Sequence, residues 1–235
     1  MIKRSFIGIL IGLLIFSGCS NNKLEEKDSL KFKEEYEALN DKENDNNGKK
    51  YRSLEIDEDN PFVYKNADDI IEMMDDGETF VVYFGFASCP WCRSIIKSMI
   101  EACDELGITS IYYVDVLDIR DTMVVNDDGV SVTKKTGTDG YYQLLEKMNS
   151  VLDDYVLSDK DGNEVSTGEK RIYAPSIVSV VDGEAVKATD GISESQTDGY
   201  MELTDEMIEE SIQKIKCSIS CVADRNKVCS SNKKC

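Results

Sequence analysis

The apolar positions of this chain follow two periodicities, and their order along the sequence predicts an α/β domain. Thr79-Phe80-Val81-Val82-Tyr83-Phe84 is an unbroken β-branched and aromatic run behind the turn signal Asp75-Asp76-Gly77, the pattern of a buried strand. Ahead of it, Ala67 to Met74 sets Ile70, Ile71 and Met74 on one helical face, with Asn66 able to cap the first turn. Beyond it, "RSIIKSMIEACDELG" repeats Ile95, Met99, Cys103 and Leu106 at helical spacing, and Gly107 ends the pattern as a left-handed cap. Ile108 to Val116 reads as a second strand. Far downstream, "RIYAPSIVSVVDGEAV" gives a β-branched strand, an Asp182-Gly183 turn and a further short strand, which is a hairpin signal. Asp205 and Glu206 then open a last helix with an apolar stripe of Ile208, Ile212 and Ile215.

The two ends depart from this pattern. Lys3 and Arg4 precede an apolar run from Phe6 to Phe16 that is too short to span a bilayer comfortably, and Ser17-Gly18-Cys19 follows at once. Residues 1–18 therefore read as a secretory signal peptide. The Ser-Gly-Cys ending resembles the lipobox of bacterial lipoproteins, which implies lipidation of Cys19 as the mature N-terminus; the alternative is an ordinary cleaved signal. The stretch up to "NDKENDNNGKK" is rich in Asn, Lys, Glu and Asp, so 19–50 is expected to be a lipid anchor and polar tether with a short helix around Leu30 to Leu39. The folded domain is then 51–216.

Within that domain, 117–173 holds an acidic "NDDG" loop, a helix from Tyr141 to Leu152 and a hairpin around "SDKDGNE". After it, 217–235 is a basic, loop-like, cysteine-rich tail. Its Cys217, Cys221, Cys229 and Cys235 lack zinc-like spacing and, in an oxidising compartment, read as two structural disulfides with three possible connectivities. A thiol relay to Cys89 and a soft-metal site are the alternatives. Cys103 sits on the apolar stripe of its helix as a core thiol.

A formal charge of −19 argues against nucleic acid as a partner and against tight docking on anionic lipid. Histidine is absent, which removes the serine–histidine and cysteine–histidine hydrolases and most catalytic zinc sites. Chemistry must come from carboxylates, lysines, tyrosines or the eight cysteines.

Cys89-Pro90-Trp91-Cys92 stands where the first strand gives way to the next helix. A thiol at a helix N-terminus faces unpaired N–H groups and the positive end of the helix dipole, which favour thiolate over thiol. Pro90 has no N–H and a backbone preset for a first helical turn. Arg93, one turn on, can bring positive charge to the sulfur. Cys92, three residues along, can close a small disulfide ring. Cys89 is the expected attacking thiol and Cys92 the resolving one. A metal site would need a second ligand pair, and the sequence has no other CxxC.

"ETFVVYFGFASCPWC" resembles the active-site segment of the thioredoxin superfamily, in particular the thioredoxin-like bacteriocin transport accessory proteins. The resemblance runs, with an interruption, over about residues 62 to 216. It implies a thioredoxin-like fold, a central mixed sheet flanked by helices, here with an insertion (117–173) before the strand that follows a cis proline. It also implies that Pro175 is that proline, packed beside the active cysteines, with Ala174 as the residue that contacts a bound peptide or thiol. Tyr83 stands where thioredoxin itself has a buried aspartate that moves protons, and tyrosine is a poor base at neutral pH. The expected activity is thiol–disulfide exchange without a cofactor or metal, outside the cytoplasm, on secreted or membrane proteins carrying disulfides or thiols. A binding or export-accessory module with a structural disulfide is the alternative.

Overall fold

The computed structural model describes residues 27–223. Its elements are α1 (Asp28–Glu37), β1 (Phe62–Tyr64), α2 (Ala67–Asp75), β2 (Phe80–Gly85), α3 (Pro90–Leu106), β3 (Ile111–Asp115), β4 (Thr122–Val125), β5 (Ser131–Lys135), α4 (Asp139–Lys147), β6 (Asp153–Ser158), β7 (Glu164–Arg171), β8 (Ser176–Val181), β9 (Glu184–Thr189) and α5 (Asp205–Ala223). Five strands form a mixed sheet in the order β1-β3-β2-β8-β9. β1 and β2 run parallel to β3, whereas β8 is antiparallel to β2 and β9 to β8. The parallel pair β2 and β3 requires a crossover, which α3 supplies.

Every residue of β2 is buried, because helices cover both faces of the sheet. Strand alternation sends Val81 and Tyr83 towards α1, α3 and α5, and Phe80, Val82 and Phe84 towards α2 and α4. The helices start and stop for local reasons. Asn66 and Asp69 form a reciprocal capping box at the head of α2. Gly107 ends α3 at φ 67°, a conformation that carries little penalty only for glycine. The β8–β9 turn has positive φ at Asp182 and Gly183, and a side chain on Gly183 would meet the Met74 carbonyl at 2.3 Å.

Three expectations need correction. The polar tether does not extend through residue 50. From Asp28 the chain belongs to the core, with Phe32 and Tyr36 fully buried and Phe32 stacked on Phe62 at 3.8 Å between ring centroids. Two aromatic residues one helical turn apart suffice to seat an otherwise polar helix. Its end is tied down as well, since Asn40 exchanges hydrogen bonds with Leu54, and Glu37 accepts from the Ile56 N–H.

At the other end, 217–223 is helix, not loop-like tail. The stripe of Ile208, Ile212 and Ile215 continues through the buried Ile219. Cys217 and Cys221 lie on α5, and both are disulfide-bonded. Cys229 and Cys235, like the signal segment and Cys19, lie outside the described residues. Within 117–173, α4 stops at Lys147 before Asn149-Ser150, residues that favour turns, and Leu152 reaches the core from beyond the helix. "NDDG" is the turn of the β4–β5 hairpin, and "SDKDGNE" joins β6 to β7.

Candidate active site

Cys89 is the N-cap of α3. Its backbone is extended (φ −80°, ψ 117°), and its sulfur accepts the Cys92 N–H at 3.4 Å. Pro90 occupies the first helical position, where its missing N–H leaves nothing unsatisfied. Cys89 is 5% exposed and Cys92 is fully buried, and both are free thiols. As a thiol, Cys89 donates to the Ala174 carbonyl at 3.2 Å, a contact across 85 positions of sequence. The Ala174–Pro175 peptide bond is cis. The structure thus brings Cys89, Pro90, Trp91, Cys92, Ala174 and Pro175 to one place.

The two sulfurs are electrically unequal. The Cys92 thiol donates to Cys89 and holds the Cys89 pKa below the ordinary thiol value. Burial opposes this, while the N–H groups of Cys92 and Trp91 and the charge of Arg120 add to it. Cys92 is pushed well up, first by burial and then by that same donated hydrogen bond. The first proton to leave the pair therefore comes from Cys89.

Arg93 does not serve Cys89. Its guanidinium is buried among the backbone carbonyls of the N-terminal segment, donating to Tyr36 at 2.7 Å and Arg52 at 2.5 Å, and to the Asn40 side chain at 2.9 Å. Those oxygens lie at a helix end and an irregular segment with few partners of their own, so a five-donor fork is best used there. The positive charge at Cys89 comes instead from Arg120, whose guanidinium also lies 4.8 Å from the Phe86 ring centre.

A cleft of about 540 Å³ opens beside the thiols, lined by Trp91, Tyr173, Ala174, Pro175, Ile192 and Gln196. Lys214 and Asp190, paired at 2.8 Å, stand at its wall. The segment after β9 reaches over the motif so closely that a side chain on Gly199 would lie 3.0 Å from Pro90 and from the Trp91 nitrogen. Lys49 holds Asp198 at 2.6 Å and Arg52 donates to the Met201 carbonyl, so the N-terminal segment fastens this loop. Arg120, Gly199 and the 190–196 wall carry no mark in the sequence beyond the short glycine-containing segment "TDGY". They are brought to the thiols by tertiary packing alone.

Among the described residues, no group of three or more His, Cys, Asp or Glu side chains is placed to hold a metal ion. No helix of the described residues is long and apolar enough to cross a membrane. No protein-family model matches the chain, and no curated protein matches it in sequence.

Proposed function

We propose that this protein is a thiol–disulfide oxidoreductase of the thioredoxin-like class, with Cys89 as nucleophile and Cys92 as resolving thiol. The observation that carries the proposal is the inequality of the two sulfurs. One is a barely exposed helix cap with a lowered pKa, and the other is a sealed thiol with a raised pKa three residues away. A structural disulfide has no use for such a bias; an exchange reaction does.

In the reducing direction, the Cys89 thiolate attacks one sulfur of a substrate disulfide. The Cys89–substrate S–S bond forms, the substrate S–S bond breaks, and the departing thiolate takes the Cys92 proton. The Cys92 thiolate then attacks the Cys89 sulfur, forming the Cys89–Cys92 disulfide and expelling the second substrate thiolate. The substrate gains two electrons and the cysteine pair loses two. Run in reverse, the same steps oxidise a substrate dithiol. Trp91, Ala174 and Pro175 border the cleft in which the substrate chain lies extended. We further read the five-stranded sheet as thioredoxin-like, 117–173 as an insertion before β8, and Cys19 as a lipid anchor holding the domain outside the cell membrane, where secreted and membrane proteins are its substrates.

The test is reduction of a protein disulfide by the full chain under turnover with dithiothreitol. The proposal predicts turnover that Cys89→Ser abolishes. Equal rates for wild type and Cys89→Ser would overturn it and favour a binding module.

A further inference from the structure

Beside the cysteine pair, the segment between β9 and α5 builds a wall of the cleft that the exchange steps above leave unused. Most of its polar groups are bonded within the protein. Ile192 is held at both polar groups of its backbone. Its N–H donates to Asp190 Oδ1 at 3.0 Å, its carbonyl accepts from Lys214 at 2.9 Å, and Lys214 and Asp190 pair with each other at 2.8 Å. On either side, the Gly191 carbonyl accepts the Ser211 hydroxyl at 2.6 Å, and the buried Ser193 donates to Glu210, whose other carboxylate oxygen accepts the Glu194 N–H at 3.1 Å. Ser211, Glu210 and Lys214 all belong to α5, so the wall is clamped along that helix.

Two groups of this wall remain for a ligand. Ile192, half-buried, packs with Trp91 and Ala174 against the core that contains Cys89 and Cys92. The Glu194 carboxylate is exposed on the cleft, and among the described residues no cation pairs with it. Since Lys214 and Asp190 neutralise each other, Glu194 sets the sign of the cleft, and the formal charge of −19 gives the long-range field the same sign. The cleft leads to the reacting sulfur, because Ala174, which lines it, is also the residue whose carbonyl accepts from Cys89 at 3.2 Å. Its volume of about 540 Å³ is that of a site that encloses a ligand segment. An apolar side chain seated among Trp91, Pro175 and Ile192 is removed from water, and a cation near Glu194 meets an unpaired carboxylate.

We infer that Ile192 and Glu194 are specificity-determining residues of the exchange reaction, and that the preferred substrate is a cationic polypeptide whose cysteine is flanked by an apolar residue. The inference rests on the exchange function proposed above. It concerns which disulfide reacts, whereas Cys89 and Cys92 decide whether any reacts.

The experiment measures reduction of short peptide disulfides by the reduced full chain in a single turnover, with the released peptide thiol counted by chromatography after acid quenching. Each substrate is the disulfide-linked dimer of a blocked peptide Z-X-Cys-X-Z, with X either Leu or Ser and Z either Lys or Glu; its symmetry assumes no chain direction. The readouts are rate ratios between peptides within one protein, which a partly unfolded sample leaves unchanged. Wild type is expected to favour Leu over Ser at least about tenfold, as for burial of one aliphatic side chain. It is expected to favour Lys over Glu about fivefold at low salt, a ratio that falls towards one at high salt while the Leu-over-Ser ratio persists. Ile192→Ala is expected to cut the Leu-over-Ser ratio at least about threefold and to leave Lys-over-Glu alone; Ile192→Val, with a smaller cut, serves where Ile192→Ala folds poorly. Glu194→Lys is expected to cut the Lys-over-Glu ratio at least about threefold and to leave Leu-over-Ser alone. Either ratio within about twofold of one in wild type, or left unchanged by its own variant, overturns the inference and leaves the exchange function standing. A wild-type protein that reduces none of the peptides fails the exchange function itself, and the inference with it.

Discussion

Beneath α2 and α4 the sheet rests on Ile70, Met73, Met74, Val82, Phe84 and Leu144, whereas α1, α3 and α5 cover its other face with Tyr36, Tyr83, Tyr113, Arg93 and three free thiols. Both faces are dry. On the first, these residues are apolar and stability comes from area removed from water, with the buried Arg171–Asp121 ion pair beside Tyr141 as its polar exception. On the second, hydroxyls, sulfurs and a guanidinium are buried at a cost that only matched partners offset. Tyr36 and Tyr83 pair with each other, Arg93 with backbone carbonyls, and Cys89 with Cys92. Under the proposed function, the gathering of these groups around one pair of sulfurs sets a reacting face against a packing one.

The comparison is broken most strongly at the sulfurs. Cys89→Ser is expected to lower exchange with a protein disulfide by at least about a thousandfold, because no other described thiol has its combination of lowered pKa and access. Cys92→Ser is expected instead to accumulate a Cys89–substrate mixed disulfide, visible by mass spectrometry without reductant. If Cys89→Ser retains wild-type exchange, the reacting half has been misassigned.

Next in size are two truncations, one on each face. Phe32→Ala removes the ring that seats α1, with an expected cost of about 3–5 kcal/mol in denaturant unfolding; Ile70→Ala is expected to cost about 2–4 kcal/mol. Under conditions where both variants are folded, only Phe32→Ala should slow exchange, since Phe32 shares its core cluster with Cys89 and Cys92 and Ile70 does not. Equal exchange rates would mean that packing on this face does not bear on the cysteine pair.

The pH dependence of stability sharpens the contrast within the thiols. Cys89 has a lowered pKa, so its contribution is complete above the ordinary thiol range and is lost as pH falls through its folded value. Cys92 is raised and Cys103 is pushed up to about 12 by burial, so their contributions are complete below the ordinary thiol range and are lost as pH rises. These thiols make the stability of the reduced protein climb with pH towards about 8.5 and decline beyond it. Cys89→Ala should remove the rising limb and leave the falling one, as read by chemical denaturation across that range. The smallest effect belongs to Arg120→Gln, which is expected to slow alkylation of Cys89 at neutral pH about two- to threefold, whereas Arg93→Gln leaves that rate unchanged in folded protein.

Much of the scaffold was legible because it is local. β2, the Asn66 cap, the helix from Pro90 to Gly107 and the Asp182-Gly183 hairpin are each specified by residues adjacent in sequence, and all four lie at the positions expected from it. The placement of Cys89 at a helix start was legible for the same reason. What escaped depends on distance. The helix of Phe32 and Tyr36 lies among polar residues in the sequence and is seated by Phe32 stacking on Phe62 and meeting Tyr113 edge-on. Arg93 sits one turn from Cys89, yet apart from the Ala87 carbonyl its partners lie 41 to 57 positions away. Arg120 is far from Cys89 in sequence and acts on it in space.

The most direct test of the account is the reduction potential of the Cys89–Cys92 pair, obtained from Trp91 fluorescence of the full chain equilibrated in thiol–disulfide buffers, with the pair's redox state confirmed by mass spectrometry. The account predicts a reversible two-electron transition between about −120 and about −270 mV, the range of proteins that exchange disulfides with substrates. A pair with no reversible transition, or one below about −300 mV, would be a structural disulfide, and the assignment of Cys89 and Cys92 as reacting sulfurs would be wrong.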